Sequence, residues 1–270
     1  SIKLMELITG KDCIKYHATD NPYINYHAKL YIKKKQLNDY VLECVSSGEK
    51  LVICSSSKKE IDRIRLALIN YCKNNKLDRN IITFTGDDDG RHDSYSTDYE
   101  QTDYVPKDEF VKDMDKNILD KKIDLLLYSP CFKTGVSINL KNYFAKCMVY
   151  VNNINSPVPR DVVQMKLRVR HFYAEKNQFH ITPINRLSYQ AHNTGWARKR
   201  CVDRYETILK NKYNTDDITD IDEVYHSIKL ENAIEKADRD YMFMEVLVKQ
   251  LVHFKFTVEM VYDQADYIHE

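Results

Sequence analysis

The stretch Leu51-Val-Ile-Cys-Ser-Ser-Ser-Lys-Lys-Glu60 places a run of apolar residues directly before three serines and a polar segment. A short, uncharged apolar run is typical of a parallel strand that is buried on both faces. The serines then stand where a helix begins, and the free amides of a helix N-terminus favour phosphate. Ser57 in the ordinary role of an N-cap explains the same residues without a ligand. The stretch predicts a strand followed by a helix, and both interpretations of its serines stay open.

Apolar strand-like runs and amphipathic, helix-length segments alternate on both sides of this junction. That alternation predicts an α/β fold, with a RecA-like parallel sheet flanked by helices. A polar loop is predicted at Gly86–Pro106, between the strand Asn80–Phe84 and the helix Asp108–Leu119. The further predicted strands are Asn80–Phe84, Ile123–Tyr128, Cys147–Val151 and Gln178–Ile181. The predicted helices are Tyr26–Val45, Ile61–Cys72, Asp108–Leu119 and Asp161–Arg170.

The character of the sequence changes after Pro183. Arg186–Lys212, Asp220–Lys236 and Arg239–Val261 are rich in helix formers and contain almost no Gly or Pro. We therefore predict two domains, a RecA-like domain over residues 1–183 and a C-terminal helical extension over residues 184–270.

Composition limits the classes of protein to consider. The net charge is +1, and no apolar run approaches the ~20 residues of a membrane span, so no membrane partner is expected. The seven cysteines form no CxxC pair, and their odd number favours a reducing, intracellular compartment over a disulfide framework. Asp87, Asp88 and Asp89 lack the spacing of a calcium loop, so a solvated loop is favoured and no metal site is predicted. Because the chain starts at Ser1 without Met, we expect it to be a piece of a longer polypeptide.

Two further segments carry residues suited to phosphate chemistry. In Ile123–Ile138, an apolar strand leads to Lys133, Thr134, Gly135 and Ser137, a combination that suits a phosphate backbone although it is not a P-loop. In Arg160–Phe172, a helix would place Gln164, Arg168 and His171 on one face, with Arg170 close by. Guanidinium groups in such a place stabilise the transition state of phosphoryl transfer as arginine fingers. A basic surface helix is the plain alternative.

Taken together, these segments resemble the C-terminal lobe of superfamily 2 helicases. Leu51–Glu60 resembles motif IV, Thr134–Ile138 resembles motif V, and Gln164–Arg170 resembles motif VI, although Leu167 replaces the usual motif VI glycine. The Ser129-Pro130 pair and Arg168-Val169-Arg170 are similar to the origin-binding helicases of herpesviruses and of other large DNA viruses. The resemblance covers about Leu51 to Ile181.

This resemblance implies an ATP-dependent DNA helicase or translocase of viral DNA replication, located in the host nucleus or at a cytoplasmic replication site. ATP and Mg²⁺ would be held mainly by a first lobe of the same polypeptide, because Walker A and DExx motifs are absent here, and the isolated chain is expected to be inactive. Single-stranded DNA and replication proteins are the other implied partners. The implied catalytic residues are Gln164, Arg168 and Arg170; Gly135 and His171 join Gln164 and Arg168 as nucleotide contacts; the implied strand contacts are Ser55, Ser56, Lys133, Thr134 and Ser137. Whether Arg170 or His171 occupies the place of the second arginine finger stays open.

Two alternatives to a motor remain. One is a non-catalytic RecA-like scaffold. The other is a nucleic-acid-binding module that docks a replication partner through a basic, aromatic segment, although a buried Trp196 that anchors the extension explains that segment as well. Its residues are Trp196, Arg198, Lys199, Arg200, Arg204 and Tyr205.

Overall fold

The structure is a computed structural model that describes residues 26–86, 90–96, 99–130, 137–152, 159–173, 178–184 and 220–261, together with residues 199, 202, 203 and 207. The chain forms two compact units. The larger comprises Pro22–Leu187 and Val248–Glu270, and the smaller comprises Ser1–Asn21 and Ser188–Leu247. The larger unit therefore includes Val248–Glu270, which lies within the predicted extension. The predicted division into 1–183 and 184–270 stays a prediction.

The larger unit is built on a sheet of nine strands within the described residues. In chain order, the strands are β1 (His27–Tyr31), β2 (Leu51–Ser55), β3 (Arg79–Phe84), β4 (Gly90–Ser96), β5 (Tyr99–Val105), β6 (Leu125–Tyr128), β7 (Lys146–Val151), β8 (Gln178–Pro183) and β9 (Thr257–Val261). Their order across the sheet is β5-β4-β3-β6-β2-β7-β8-β1-β9. In this order, all neighbouring strands from β3 across to β9 are parallel. The hairpin β4–β5 adds two antiparallel strands beside β3, at one edge of the sheet.

Helices connect the parallel strands. They are α1 (Lys34–Ser46), α2 (Lys58–Asn75), α3 (Lys107–Lys112), α4 (Met114–Asp120), α5 (Pro159–Lys166) and α6 (Asp220–His253). Leu37 and Val41 of α1 and Leu68 of α2 pack in one cluster with strand residues such as Ile53. Burying a side chain of this size contributes about 1.5–3 kcal/mol to folding. The predicted α/β class, with a RecA-like parallel sheet, flanking helices and a C-terminal helix, is confirmed.

The predicted strands of the parallel core are confirmed as β2, β3, β6, β7 and β8. The sequences of β2, β6 and β7 are nearly continuous apolar runs, as expected of strands that are covered on both faces. All five residues of β2 are fully buried, including Ser55. The parallel register brings the last residues of these strands to one edge of the sheet, which we call the carboxyl edge.

Three helix or loop predictions near the edges of the sheet are wrong. The predicted helix Tyr26–Val45 begins only at Lys34, because Ala28 and Leu30 are buried in β1, which pairs with β8 and β9. The predicted loop Gly86–Pro106 contains the hairpin β4–β5. The predicted helix Asp108–Leu119 is interrupted at Asp113, whose side chain accepts a hydrogen bond from the Lys116 amide and caps α4.

The predicted C-terminal helices are wrong at their end, and the structure joins two of them into one helix. Asp220–Lys236 and Arg239–His253 lie in the single helix α6, and Thr257–Val261 is a strand. Lys255 stops the helix by adopting a left-handed conformation with φ of 63°. The chain then pairs with β1 as the edge strand β9. Most of the predicted helix Arg186–Lys212 lies outside the described residues.

Candidate functional site

The three serines after β2 are engaged by the backbone around them. Ser55 is completely buried, and its hydroxyl accepts a hydrogen bond of 3.1 Å from the Ser57 amide. Ser56 is partly exposed, and its hydroxyl accepts a 2.6 Å hydrogen bond from the amide of Asn152. Ser57 caps α2 by accepting from the Glu60 amide, so the N-cap interpretation is confirmed. Of the two serines predicted to contact strand phosphates, only Ser56 reaches the surface.

Hydrogen bonds join neighbouring strand ends along the carboxyl edge. Ser56 donates its amide to the carbonyl of Tyr150 in β7 over 3.0 Å. On the other side of β6, the Gly86 amide donates to the Ser129 hydroxyl, and the Ser129 amide donates to the Phe84 carbonyl. Gly86 has φ of +66°, a left-handed conformation that glycine adopts without strain. These contacts hold the starts of several connecting segments in fixed positions.

The segment predicted to grip a phosphate backbone is described only at its ends. Lys133, Thr134 and Gly135 lie outside the described residues. Ser137 is partly exposed, and its hydroxyl accepts a 3.3 Å hydrogen bond from the Asn139 side chain. The backbone amide of Asn139 donates to both carboxylate oxygens of Asp115, at 3.0 and 3.3 Å, and this contact fixes this end of the segment.

Helix α5 ends earlier than predicted. Its last residue is Lys166, and the hydroxyl of Tyr128 donates a buried hydrogen bond of 2.9 Å to the Met165 carbonyl. Because Tyr128 is the last residue of β6, this bond holds the last turn of α5 near the carboxyl edge. Gln164 is on α5 and is exposed.

After α5, Leu167 and Arg168 form a hydrogen-bonded turn, in which the Arg168 amide donates to the Met165 carbonyl at 3.3 Å, and Val169 then pairs with Ile138. The Ile138 amide donates to the Arg168 carbonyl at 2.7 Å, and the Arg170 amide donates to the Ile138 carbonyl at 3.0 Å. Val169 and Ile138 are both fully buried, whereas Arg168 is partly exposed and Arg170 and His171 are exposed.

The prediction that Gln164, Arg168 and His171 share one helical face is therefore wrong. Only Gln164 belongs to the helix; Arg168 lies in the turn that follows Lys166, and His171 lies beyond the pairing of Val169 with Ile138. The helix stops because Val169 is buried by its pairing with Ile138, which a periodicity of exposed residues does not reveal. The arrangement brings together Arg168, Arg170 and the Ser137 end of the preceding segment instead.

Sequence reasoning missed three residues that position this region, namely Tyr128, Asn139 and Tyr173. Tyr128 supports α5, Asn139 contacts Ser137, and Tyr173 exposes 69% of its surface directly after the basic segment. Val169 and Phe172 are three residues apart, a spacing typical of a helix, so the sequence carried no signal of where α5 ends.

The most perturbed titratable groups of the described residues lie elsewhere, where α1 packs on β1 and β8. His180 is fully buried, and its Nδ1 atom lies 2.9 Å from the Tyr31 hydroxyl. Burial, assisted by Lys146 and Lys29, lowers the pKa of His180 to about 3. Burial raises the pKa of the Cys44 thiol to about 11. Both groups are neutral at pH 7, which suits a core better than a reactive centre.

A groove of about 310 Å³ lies between α1 and α2. Three of its charged residues are paired, since the buried Glu60 accepts from Lys34 at 3.1 Å and from Arg63 at 2.6 Å. Also in its lining, the Tyr150 hydroxyl donates to the side chain of Asn38 over 2.9 Å. Lys34 and Arg63 therefore already have a carboxylate partner inside the groove.

Neither models of protein families nor curated protein sequences give a match to this chain. Among the described residues, no group of three or more His, Cys, Asp or Glu side chains is arranged to hold a metal ion. None of the helices in the described part of the chain is long and apolar enough to cross a membrane.

Proposed function

We propose that this chain is the C-terminal RecA-like lobe of an ATP-dependent superfamily 2 DNA helicase or translocase that acts in viral DNA replication. The observation that carries the proposal is the backbone pairing of Ile138 with Val169. The two paired segments are those that resemble motifs V and VI. A displacement of one segment is therefore transmitted to the other through two hydrogen bonds, as coupling between strand movement and ATP hydrolysis requires.

The proposed role of Arg168 and Arg170 is to stabilise charge on ATP that is bound, with Mg²⁺, by a first lobe. Two residues apart in the chain, their Cα atoms lie no more than about 7 Å from each other. That spacing allows both guanidinium groups to approach one triphosphate. Arg170 and His171 are both exposed, so which of them is the second arginine finger stays open. Gln164, exposed on α5, and the loop at Gly135 complete the proposed nucleotide contacts.

The proposed strand contacts lie on the segments that begin at the carboxyl edge. Ser56 and Ser137 are partly exposed and suit phosphate oxygens, as Lys133 and Thr134 do by residue type. Ser55 is fully buried and is replaced in this proposal by Ser56. Single-stranded DNA, a first lobe and replication proteins are the proposed partners.

The first test is the ATPase activity of the pure chain. Since no phosphate-binding loop of the Walker type is present in this sequence, we expect negligible hydrolysis with or without single-stranded DNA. Appreciable hydrolysis that copurifies with the chain and depends on Arg168 would contradict a nucleotide site shared between two lobes.

The second test uses the chain joined to a first lobe that carries the Walker motifs. Arg168→Ala is expected to lower the DNA-stimulated ATPase rate by about 10³-fold or more, while DNA binding persists. Arg91→Ala, which removes an exposed arginine on the hairpin, is the matched control and should leave the rate unchanged. A near-normal rate for Arg168→Ala would favour the alternative of a non-catalytic RecA-like scaffold, which binds a partner protein without contacting ATP.

A further inference from the structure

Tyr173 is a large aromatic side chain held at the surface by a fixed backbone. The residue exposes 69% of its surface, yet its backbone amide donates a 2.7 Å hydrogen bond to the Phe144 carbonyl. The preceding residue, Phe172, is buried and packs edge-on against Phe179 of β8 with 5.4 Å between the ring centroids. An aromatic ring presented on a fixed backbone loses little conformational entropy when it binds a flat partner.

The surroundings of Tyr173 are basic although the whole chain is nearly neutral. The segment 168–173 contains Arg168, Arg170 and His171 and no acidic residue, and the segment 137–144 that bridges to it adds Lys141. Arg170 and His171 are both exposed. Two carboxylates belong to or contact this part of the chain, those of Glu175 and of Asp115, which accepts from the backbone amide of Asn139. Residues 168–176 carry three cations, Arg168, Arg170 and Lys176, against the one carboxylate of Glu175, so an anionic group that approaches Tyr173 meets a net positive charge.

The spacing along the segment separates the aromatic ring from the guanidinium group. Even a fully extended chain spans only about 3.3–3.6 Å per residue, so Tyr173 lies no more than about 10–11 Å from Arg170 along the backbone. A ligand that satisfies both residues has a flat, apolar part at one end and an anionic part at the other. Nucleotides have this form, and their bases stack on tyrosine regardless of sequence.

We propose that Tyr173 is a nucleobase-stacking residue and that Arg170, with His171, holds the phosphate of the same ligand. The inference rests on the proposed function and adds to it the contact that binds the base. The base belongs either to the bound nucleotide or to a single nucleic-acid strand, and the two sources share this chemistry. In the first case Arg170 keeps its proposed role on ATP; in the second it holds a strand phosphate, and Arg168 alone acts on ATP.

The test measures binding of three probes to the full chain at low salt by fluorescence anisotropy. They are a labelled oligothymidine, a labelled oligomer of abasic sugars of equal length, and ATP that carries a fluorophore on its ribose. Tyr173→Ala should weaken binding about tenfold to whichever of the two base-containing probes is the source. Binding of the abasic oligomer should be unchanged, and Tyr173→Phe, which keeps the ring, should bind like the wild type. Tyr104→Ala removes a tyrosine of similar exposure, 72%, from the hairpin and should have no effect.

Loss for the oligothymidine alone assigns the base to a strand, and loss for ATP alone assigns it to the nucleotide. The inference is overturned if Tyr173→Ala changes neither probe, or if it weakens the abasic oligomer as strongly as the others. In that case, a loss with Arg170→Ala on the same probes leaves the proposed function standing. A wild-type chain that binds none of the probes overturns the inference, whereas the proposed function is judged separately by the ATPase rate of the chain joined to a first lobe.

Discussion

The hydroxyl of Tyr128 donates a buried hydrogen bond of 2.9 Å to the carbonyl oxygen of Met165. Tyr128 ends β6, from which the motif V-like segment departs, and Met165 lies in the last turn of α5, from which the motif VI-like segment departs. The pairing of Ile138 with Val169 joins the same two segments further along the chain. Two separate contacts therefore fix the position of Arg168 relative to the sheet.

Tyr128→Phe tests the first contact. Loss of one buried hydrogen bond is expected to lower the free energy of unfolding by about 0.5–1.5 kcal/mol. Hydrogen exchange of the Leu167 and Arg168 amides should accelerate more than global stability explains, because the turn that holds them loses its support. Tyr71→Phe, whose hydroxyl meets Ser46 at an exposed site, is the control and should not change this exchange. Unaltered exchange in Tyr128→Phe would show that the bond does not hold the turn.

The hairpin is attached to α2 by a buried ion pair. Arg65 donates through Nε to Asp93 at 2.6 Å and through a second nitrogen at 2.5 Å, and the Asp93 side chain is fully buried. Removing one partner leaves a buried charge without its counterpart, so Asp93→Asn or Arg65→Met should cost about 3–5 kcal/mol in urea unfolding. The double variant Arg65→Met/Asp93→Leu should recover part of that loss. Arg63→Met, at a largely exposed arginine, should cost far less, and equal losses at both arginines would contradict this account.

The parallel core was predictable because burial on both faces leaves a continuous apolar run, as in Leu51–Cys54. The hairpin was missed because its strands are polar, and their attachment depends on Asp93 meeting Arg65, 28 residues away. The end of α5 before Arg168 was missed for a similar reason, since Val169 leaves the helix to pair with Ile138. Local periodicity carries no information about such distant partners. For the candidate site, the residue types were predicted, but the geometry that presents them was not.

Stability should depend on pH through His180. Its pKa is about 3 in the folded chain and about 6.5 in the unfolded chain, so unfolding takes up a proton between these values. The free energy of unfolding that the neutral, buried His180 contributes is complete above pH 6.5. It is lost as the pH falls toward 3, with a slope of about 1.4 kcal/mol per pH unit. Urea unfolding from pH 7.5 to pH 4 measures the slope. His180→Phe should flatten it, whereas His171→Ala, at an exposed histidine, should keep it; the same slope in all three proteins would exclude His180 as the cause.

Gly90 begins the hairpin where a larger residue has no room. A Cβ atom at this position would lie 2.3 Å from Cε1 of Phe84, a ring that is fully buried and packs on Phe110 at 5.0 Å. Because that ring cannot move without disturbing the core, Gly90→Ala should lower the free energy of unfolding by about 1–3 kcal/mol. Adding Phe84→Leu to Gly90→Ala should cost less than Phe84→Leu costs in the wild type, since the smaller side chain relieves the clash.

Gly86 is the control. The nearest atom to a Cβ there is Lys58 Nζ at 3.8 Å, so alanine should cost only the strain of its positive φ, about 1–2 kcal/mol, and Phe84→Leu should not reduce that cost. Strictly additive losses for Gly90→Ala and Phe84→Leu would refute the steric explanation.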